Sequence, residues 1–319
     1  MTSGMDAQDF EQALEDFWAV RGSGEFPLHW EPKLTQDDAY RINLALTDRH
    51  VAQGEAQAGW KVGLTARAIR EQFGLPEPLF AVLFKKGRWE SGRTWPRAAM
   101  IGPGWENELC LTMGKTLAGP GVTEADAKAA IATVAPAMEI IETRGPNSMD
   151  GFKCMIADNG QQYAYVVGEE TAYDPAVHDL GQTTVEVFVD GESQETAQGN
   201  AVMESSAVAS IVWLANKLAE FDRTLEAGQV VMTGSFTRQY AIDQPIVFVQ
   251  PAGLGGKDAN VGSNFFVGNR LLFDGPGSRL GLDAVGPVVG LPEPSGTASL
   301  VAGLALLAAV GLRRRRSLD

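Results

Sequence analysis

The segment Trp105-Glu-Asn-Glu-Leu-Cys-Leu111 carries two carboxylates two residues apart inside an otherwise apolar stretch. On a strand, successive side chains point to opposite faces, so Leu109 and Leu111 share one face and Glu106, Glu108 and Cys110 the other. Carboxylates at i and i+2 lie about 7 Å apart at Cα and repel when left alone. A third acid, Glu139, stands in the apolar run Pro136-Ala-Met-Glu-Ile-Ile141, where an unpaired charge is costly. Three inward carboxylates with waters suit Mg²⁺ or Mn²⁺. The same residues also suit a salt-bridged or edge-exposed strand, and residue types alone leave both readings open.

Lys61 poses a similar question. It lies between Trp60 and Val62, with Gly59 and Gly63 outside them, a poor setting for a solvated surface charge. Either it clamps a substrate carboxylate or moves a proton, or it snorkels at a strand end. Composition narrows the ligand chemistry. Three histidines (His29, His50, His178) at no ligand spacing and two cysteines (Cys110, Cys154) exclude a His- or Cys-built zinc site and a disulfide scaffold, so a metal here is held mainly by oxygen. With 40 acidic against 26 basic residues and a net charge of −14, no broad electrostatic footprint for nucleic acid is expected.

Along the chain, Ala7, Phe10, Leu14 and Phe17 fall at helical spacing, and the N-terminus lacks the basic start and apolar core of a secretory signal. Thr35 with Asp38 opens a second helix whose stripe is Ala39, Ile42 and Leu46. Thr123 and Asp126 cap a third, expected to run to about Val134. Thr184 to Val189 alternates as a strand before an Asp190-Gly191 hairpin turn. A long helix is expected over 203–220 and a buried strand over 229–233, ending at Gly234-Ser235. Helices and strands mix without a βαβ repeat, which reads as α+β. From about Pro251 the composition turns to Gly, Asn and Asp. Ala298 to Leu312 is a 15-residue uncharged run before Arg313–Arg316. At about 22 Å as a helix it falls short of a ~30 Å hydrocarbon core. The arginines nevertheless suit a membrane-type segment with that end cytoplasmic; the alternative is a buried helix with a basic tail.

Six motifs occur in order: Gly59-Trp-Lys-Val-Gly-Leu-Thr65, Glu77-Pro-Leu-Phe-Ala-Val-Leu-Phe84, Glu106-Asn-Glu108, Ala135-Pro-Ala-Met-Glu-Ile-Ile-Glu-Thr-Arg144, Ala157-Asp-Asn159 and Met232-Thr-Gly-Ser235. Over residues 34–243 the chain resembles the 2-keto-4-pentenoate hydratase / 2-oxo-hex-3-enedioate decarboxylase family of the fumarylacetoacetate hydrolase superfamily. The resemblance implies a mixed β-roll with outer helices behind an N-terminal helical segment. It implies Mg²⁺ or Mn²⁺ on Glu106, Glu108 and Glu139, with Lys61 as the catalytic residue beside the substrate. Leu79, Gln161, Thr233 and Ser235 are the implied substrate-binding positions. The implied chemistry is hydration of a small unsaturated 2-oxo acid through a metal-stabilised enolate, as in aromatic-compound catabolism, with decarboxylation as the alternative. One electron sink serves both reactions.

Two departures stand out. Leu79 replaces an acid of the hydratase pattern, which tilts toward the decarboxylase branch. Gln161 and Gln162 replace small serines. Residues 288–319 resemble a PEP-CTERM sorting tail, which admits a third reading, a catalytically dead membrane-tethered protein. The implied organisation is a helical segment over 1–58, a catalytic domain over 59–250 with Ile246–Val249 as a substitute strand, a Gly/Asn-rich linker over 251–290 and a hydrophobic tail over 291–319. The expected partners are a small 2-oxo acid, further copies of the chain and, through residues 296–316, a membrane, with the catalytic domain cytoplasmic.

Overall fold

The computed structural model describes residues 4–89, 94–95, 99–146, 149–189, 192–242, 246–249, 269–274 and 279–284. Its helices are α1 (Ala7–Val20), α2 (Gln36–Ala52), α3 (Arg67–Phe73), α4 (Glu124–Ala130), α5 (Phe152–Ala157) and α6 (Ala207–Ala219). Its strands are β1 (Gln57–Gly63), β2 (Leu79–Phe84), β3 (Arg88–Trp89), β4 (Thr94–Trp95), β5 (Pro103–Met113), β6 (Ile131–Glu142), β7 (Gln162–Val167) and β8 (Thr171–Ala172). They continue with β9 (Thr184–Val189), β10 (Glu192–Gln198), β11 (Val230–Met232), β12 (Tyr240–Ala241), β13 (Ile246–Val249), β14 (Asn269–Asp274) and β15 (Arg279–Ala284).

Local chemistry explains the helix starts. Asp6 accepts from the Asp9 amide at the head of α1, and Thr35/Asp38 and Thr123/Asp126 each form a reciprocal capping box on α2 and α4. Two helix boundaries differ from the sequence expectation. α4 stops at Ala130, four residues before Val134, because the β-branched run from Ile131 pairs with β5 from Met113 onward. α6 begins at Ala207, not Met203, because Met203 and Glu204 hold positive φ values of 56° and 54° and break the helical path.

The first sheet runs β2-β1-β11-β5-β6-β7-β3, with β12 against β5 and β8 against β6. Pro136 is tolerated inside β6 because its backbone faces the gap between β7 and β8, where its carbonyl accepts from Gly168 N–H and no ladder donor is required of it. The outer face carries the large core: Val62, Phe80, Leu109, Leu111, Ile140 and Val231 pack into one cluster with Ile42, Ile156 and Ile211 of the helices. The inner face is lined by a smaller cluster that includes Cys110, Ala135, Ala137, Tyr165 and Met232. The alternation read at Leu109/Leu111 against Cys110 therefore separates two distinct packing environments.

A second sheet has the order β10-β9-β14-β15-β13-β4. A strand, β13, does form at Ile246–Val249, but it pairs with β15 and β4 in this second sheet and not with the first, and β14 and β15 fall inside the stretch expected as linker. The tail over 291–319, with its membrane-contact segment 296–316, lies outside the described residues. Among the described residues no helix is long and apolar enough to cross a membrane.

Candidate metal centre

β5 and β6 pair with Glu106 directly opposite Glu139, and Glu108 opposite Ala137. The inner face of this ladder therefore brings all three acids together, each offering a carboxylate oxygen within 4.8 Å of the others. Glu108 and Glu139 are buried and Glu106 is half-buried. Lys61 lies on β1, three strand spacings from β6 through β11 and β5, which in a flat sheet is about 14 Å. Its Nζ nevertheless stands 3.2 Å from Glu139 Oε1. The sheet is curled, and the curl converts a residue remote in the ladder into a neighbour across the inner face.

Charge in this pocket is unbalanced. Three carboxylates face one ammonium, and Glu108 Oε1 and Glu139 Oε2 meet no hydrogen-bond donor among the described residues. Burial first, then the repulsion of Glu139, push the Glu106 carboxyl up to about 7, against the pull of Lys61. Glu108 is raised well above its ordinary value by burial and by both neighbouring acids. Burial raises Glu139 too, opposed by Lys61. Two buried orphan oxygens on clustered acids are the donor set of a hard divalent cation, and the residues present fit one.

The turn after β11 touches this cluster through its backbone. Gly234 N–H donates to Glu108 Oε2 at 2.8 Å. Glycine is required there: its φ is +108°, and a Cβ would come within 2.5 Å of the Thr65 side chain. Thr233 is fully buried and donates its hydroxyl to the Leu109 carbonyl at 2.9 Å, while Ser235 Oγ donates to the Thr237 carbonyl at 2.9 Å. Leu79 is buried at the start of β2, opposite Gly63 of β1. A Cβ built on Gly63 would lie 3.3 Å from Leu79 Cδ1 and 3.8 Å from Lys61 Nζ, so Leu79 is an apolar wall close to the ammonium. Gln161 directs its amide to the Arg144 carbonyl at 3.4 Å, and the Nε2 of buried Gln162 meets no partner among the described residues. All three histidines stand elsewhere, His29 beside Asp16, His50 beside Glu55 and His178 accepting from the Asp174 amide.

The sequence reading assigned no role to Arg144, Asp158 and Asn159, although all three lie in its motifs. Buried Arg144 pairs with Glu142 at 3.2 Å and with Asp158 at 2.5 Å. Asn159 donates to the Val82 carbonyl at 2.9 Å and accepts from the Val82 amide at 2.8 Å. The available signal was an arginine at the end of an apolar strand followed by an Asn-Gly turn.

Comparison with known proteins bears on this geometry. The family described as fumarylacetoacetate (FAA) hydrolase C-terminal matches residues 81–254. A 2-hydroxyhexa-2,4-dienoate hydratase of Comamonas testosteroni is 32% identical over 206 residues, covering 64% of this chain and 77% of its own. A 4-oxalocrotonate decarboxylase of a Pseudomonas species is 32% identical over 217 residues, covering 66% and 83%. The solved 4-oxalocrotonate decarboxylase of Pseudomonas putida G7, complexed with magnesium and adipate, superposes with a TM-score of 0.69 at 26% identity, covering 76% of this chain and 92% of that one.

Proposed function

Because the chain belongs to the fumarylacetoacetate hydrolase family, we propose that it is a divalent-metal-dependent lyase acting on a small unsaturated 2-oxo acid, with hydration of a 2-hydroxydienoate as its reaction. The observation that carries the proposal is the convergence of Glu106, Glu108 and Glu139 within 4.8 Å, with Lys61 3.2 Å from the last. Relatives named for a dienoate and for an oxalocrotonate support the substrate class, and the magnesium complex of the solved Pseudomonas putida G7 decarboxylase supports Mg²⁺ or Mn²⁺. A reading as a catalytically dead tethered protein finds no support in an intact acid cluster.

Glu106, Glu108 and Glu139 would hold the cation, which would supply Lewis acidity to a bound 2-oxo acid. The chain's own residues do the rest. The Gly234 amide fixes the Glu108 carboxylate through Oε2 and leaves Oε1 turned free. With the three acids neutralised, the Lys61 ammonium is available to a substrate carboxylate, or to carry a proton at the carbon next to the ketone. Leu79 excludes water from one side of that ammonium. Gln161, Thr233 and Ser235 are proposed to shape the substrate end of the pocket, Thr233 and Ser235 through the backbone of their turn.

A second reading, decarboxylation of a 2-oxo-hexenedioate, is favoured by Leu79. Expelling CO₂ needs an electron sink and a dry wall, whereas adding water needs a group to activate it, and Leu79 cannot do so. One assay separates the readings. The protein is incubated with 2-hydroxypenta-2,4-dienoate and, separately, with 2-oxo-hex-3-enedioate, with and without EDTA. Loss of the ultraviolet band and release of CO₂ are followed. EDTA-sensitive loss of the dienoate supports hydration, and EDTA-sensitive CO₂ release supports decarboxylation. Absence of both, together with no Mg²⁺ or Mn²⁺ binding, overturns the proposal.

A further inference from the structure

The turn between α5 and β7 is strained. Asn159, Gly160 and Gln161 hold φ values of 63°, 59° and 60°, and two of the three are not glycine. Successive left-handed residues persist only where the surroundings over-determine them. Here Arg144 bonds both ends of the turn. Its Nη2 donates to the Asp158 carbonyl at 2.9 Å and its Nη1 to the Gln162 carbonyl at 3.4 Å. Its Nε donates to the Asp158 carboxylate, while Glu142 balances the remaining edge of the guanidinium at 3.2 Å. Gln161 returns a bond to the Arg144 carbonyl. Asn159 fastens the middle of the turn to both backbone groups of Val82 in β2.

What the turn presses against is the active lysine. A Cβ built on Gly160 would lie 3.1 Å from Leu79 Cδ1, 3.2 Å from Ala81 Cβ and 3.4 Å from Lys61 Cε. Gly160 thus packs against Cε, the last carbon of the Lys61 stem, next to the Nζ that meets Glu139. On the opposite side, Arg144, Asp158 and Asn159 form one wall of a cleft of about 580 Å³, shared with Trp18, Asn43 and His50 and not lined by Lys61 or the three acids.

We propose that Arg144 is a positioning residue: its fork staples the strained 158–162 turn, and the turn holds Lys61 against the carboxylate cluster and away from the cleft. The assignment rests on the role given to Lys61 above. A lysine at position 144 keeps the charge but has no planar fork to reach two carbonyls at once, so Arg144→Lys isolates the stapling. Gly160→Ala loosens the same contact from the other side, by adding a methyl where φ is left-handed and Lys61 is close.

The test uses the full chain and two readouts. Reductive methylation with formaldehyde and cyanoborohydride is timed at each lysine by mass spectrometry, with buried Lys217 as the internal control. Arg144→Lys should label Lys61 at least tenfold faster than the wild type, with Lys217 unchanged and Mn²⁺ binding, read by electron paramagnetic resonance, retained. In turnover, Arg144→Lys should lower kcat at least tenfold in the wild-type background and less than threefold in a Lys61→Met background, because its effect passes through Lys61. Wild-type labelling of Lys61, or a full tenfold loss on top of Lys61→Met, overturns the proposal. Should Arg144→Lys not fold, Gly160→Ala decides on the same criteria. Should the wild type neither bind Mn²⁺ nor turn over a 2-oxo acid, the lyase reading fails while the labelling ratio still decides the stapling.

Discussion

Two buried clusters of charge lie near the C-terminal end of β6, one around Glu139 and one around Glu142 and Arg144, and they are built on opposite principles. Around Arg144, one guanidinium meets two carboxylates and two carbonyl oxygens, and every donor direction it uses has an acceptor. Around Glu139, three carboxylates share one ammonium, and two oxygens meet no donor among the described residues. A protein interior tolerates charge when it is paired and hydrogen-bonded. The first cluster meets that condition within the chain, so it can serve as a fixed part of the scaffold. The second does not meet it with the described groups of the chain alone, which is the reason for proposing a cation there.

The contrast can be broken most sharply by activity. Glu108→Gln should leave the fold intact, by circular dichroism and thermal unfolding, and lower metal-dependent turnover by about 10³-fold or more; full activity in steady-state assays with Mg²⁺ and Mn²⁺ would remove Glu108 from the centre. Stability measurements come next. Arg144→Met strands two buried carboxylates and should cost about 3–5 kcal/mol in urea unfolding. Glu106→Gln relieves repulsion and should hold or raise the stability of the EDTA-treated protein at pH 8. Equal losses in the two variants would abolish the distinction between the clusters.

The pH dependence sharpens it further. The Glu106 carboxyl, raised to about 7 from an ordinary 4.5, keeps its proton in the folded chain where the unfolded chain has released it. The folded state binds more protons across that window, so stability of the metal-free protein is greatest below pH 4.5 for this group and falls as pH rises through 7. Discounted for partial exposure, the fall is on the order of 2–3 kcal/mol. Excess Mg²⁺ should reverse it, as thermal melts at pH 5, 7 and 8 would register; a metal-free protein that gains stability over this range contradicts that repulsion. The smallest effect is expected at Ser235, whose hydroxyl bonds within its own turn. Ser235→Ala should change kcat/KM by less than about threefold, and a larger loss would place that hydroxyl on the substrate.

Much of this centre is legible in the sequence. The period of two along 105–111 put Glu106 and Glu108 on one face, and the apolar setting of Glu139 marked it as costly without a partner. Other elements were legible only in part. The alanines after Asp126 read as helix as far as Val134, yet the pairing of Ile131 and Thr133 with β5 ends the helix at Ala130, because strand pairing outweighs a weak local propensity. The break at Met203 and Glu204 left no pattern in the hydrophobic period, since left-handed backbone in non-glycine residues carries no side-chain signature.

Alternation, capping pairs and the poverty of histidine and cysteine are local or additive properties, and they sufficed to indicate an α+β chain, to place Glu106 and Glu108 on one strand face and to leave mainly oxygen as the ligand chemistry for a metal. Which groups meet across strands was decided by the tertiary structure alone. The curl of the sheet closes a three-strand separation and brings Lys61 to Glu139, and Arg144 reaches forward to the turn at 158–162. Neither distance is written in a periodicity, because side-chain spacing within a strand is set by the backbone, whereas spacing between strands is set by how the whole sheet bends to bury its faces.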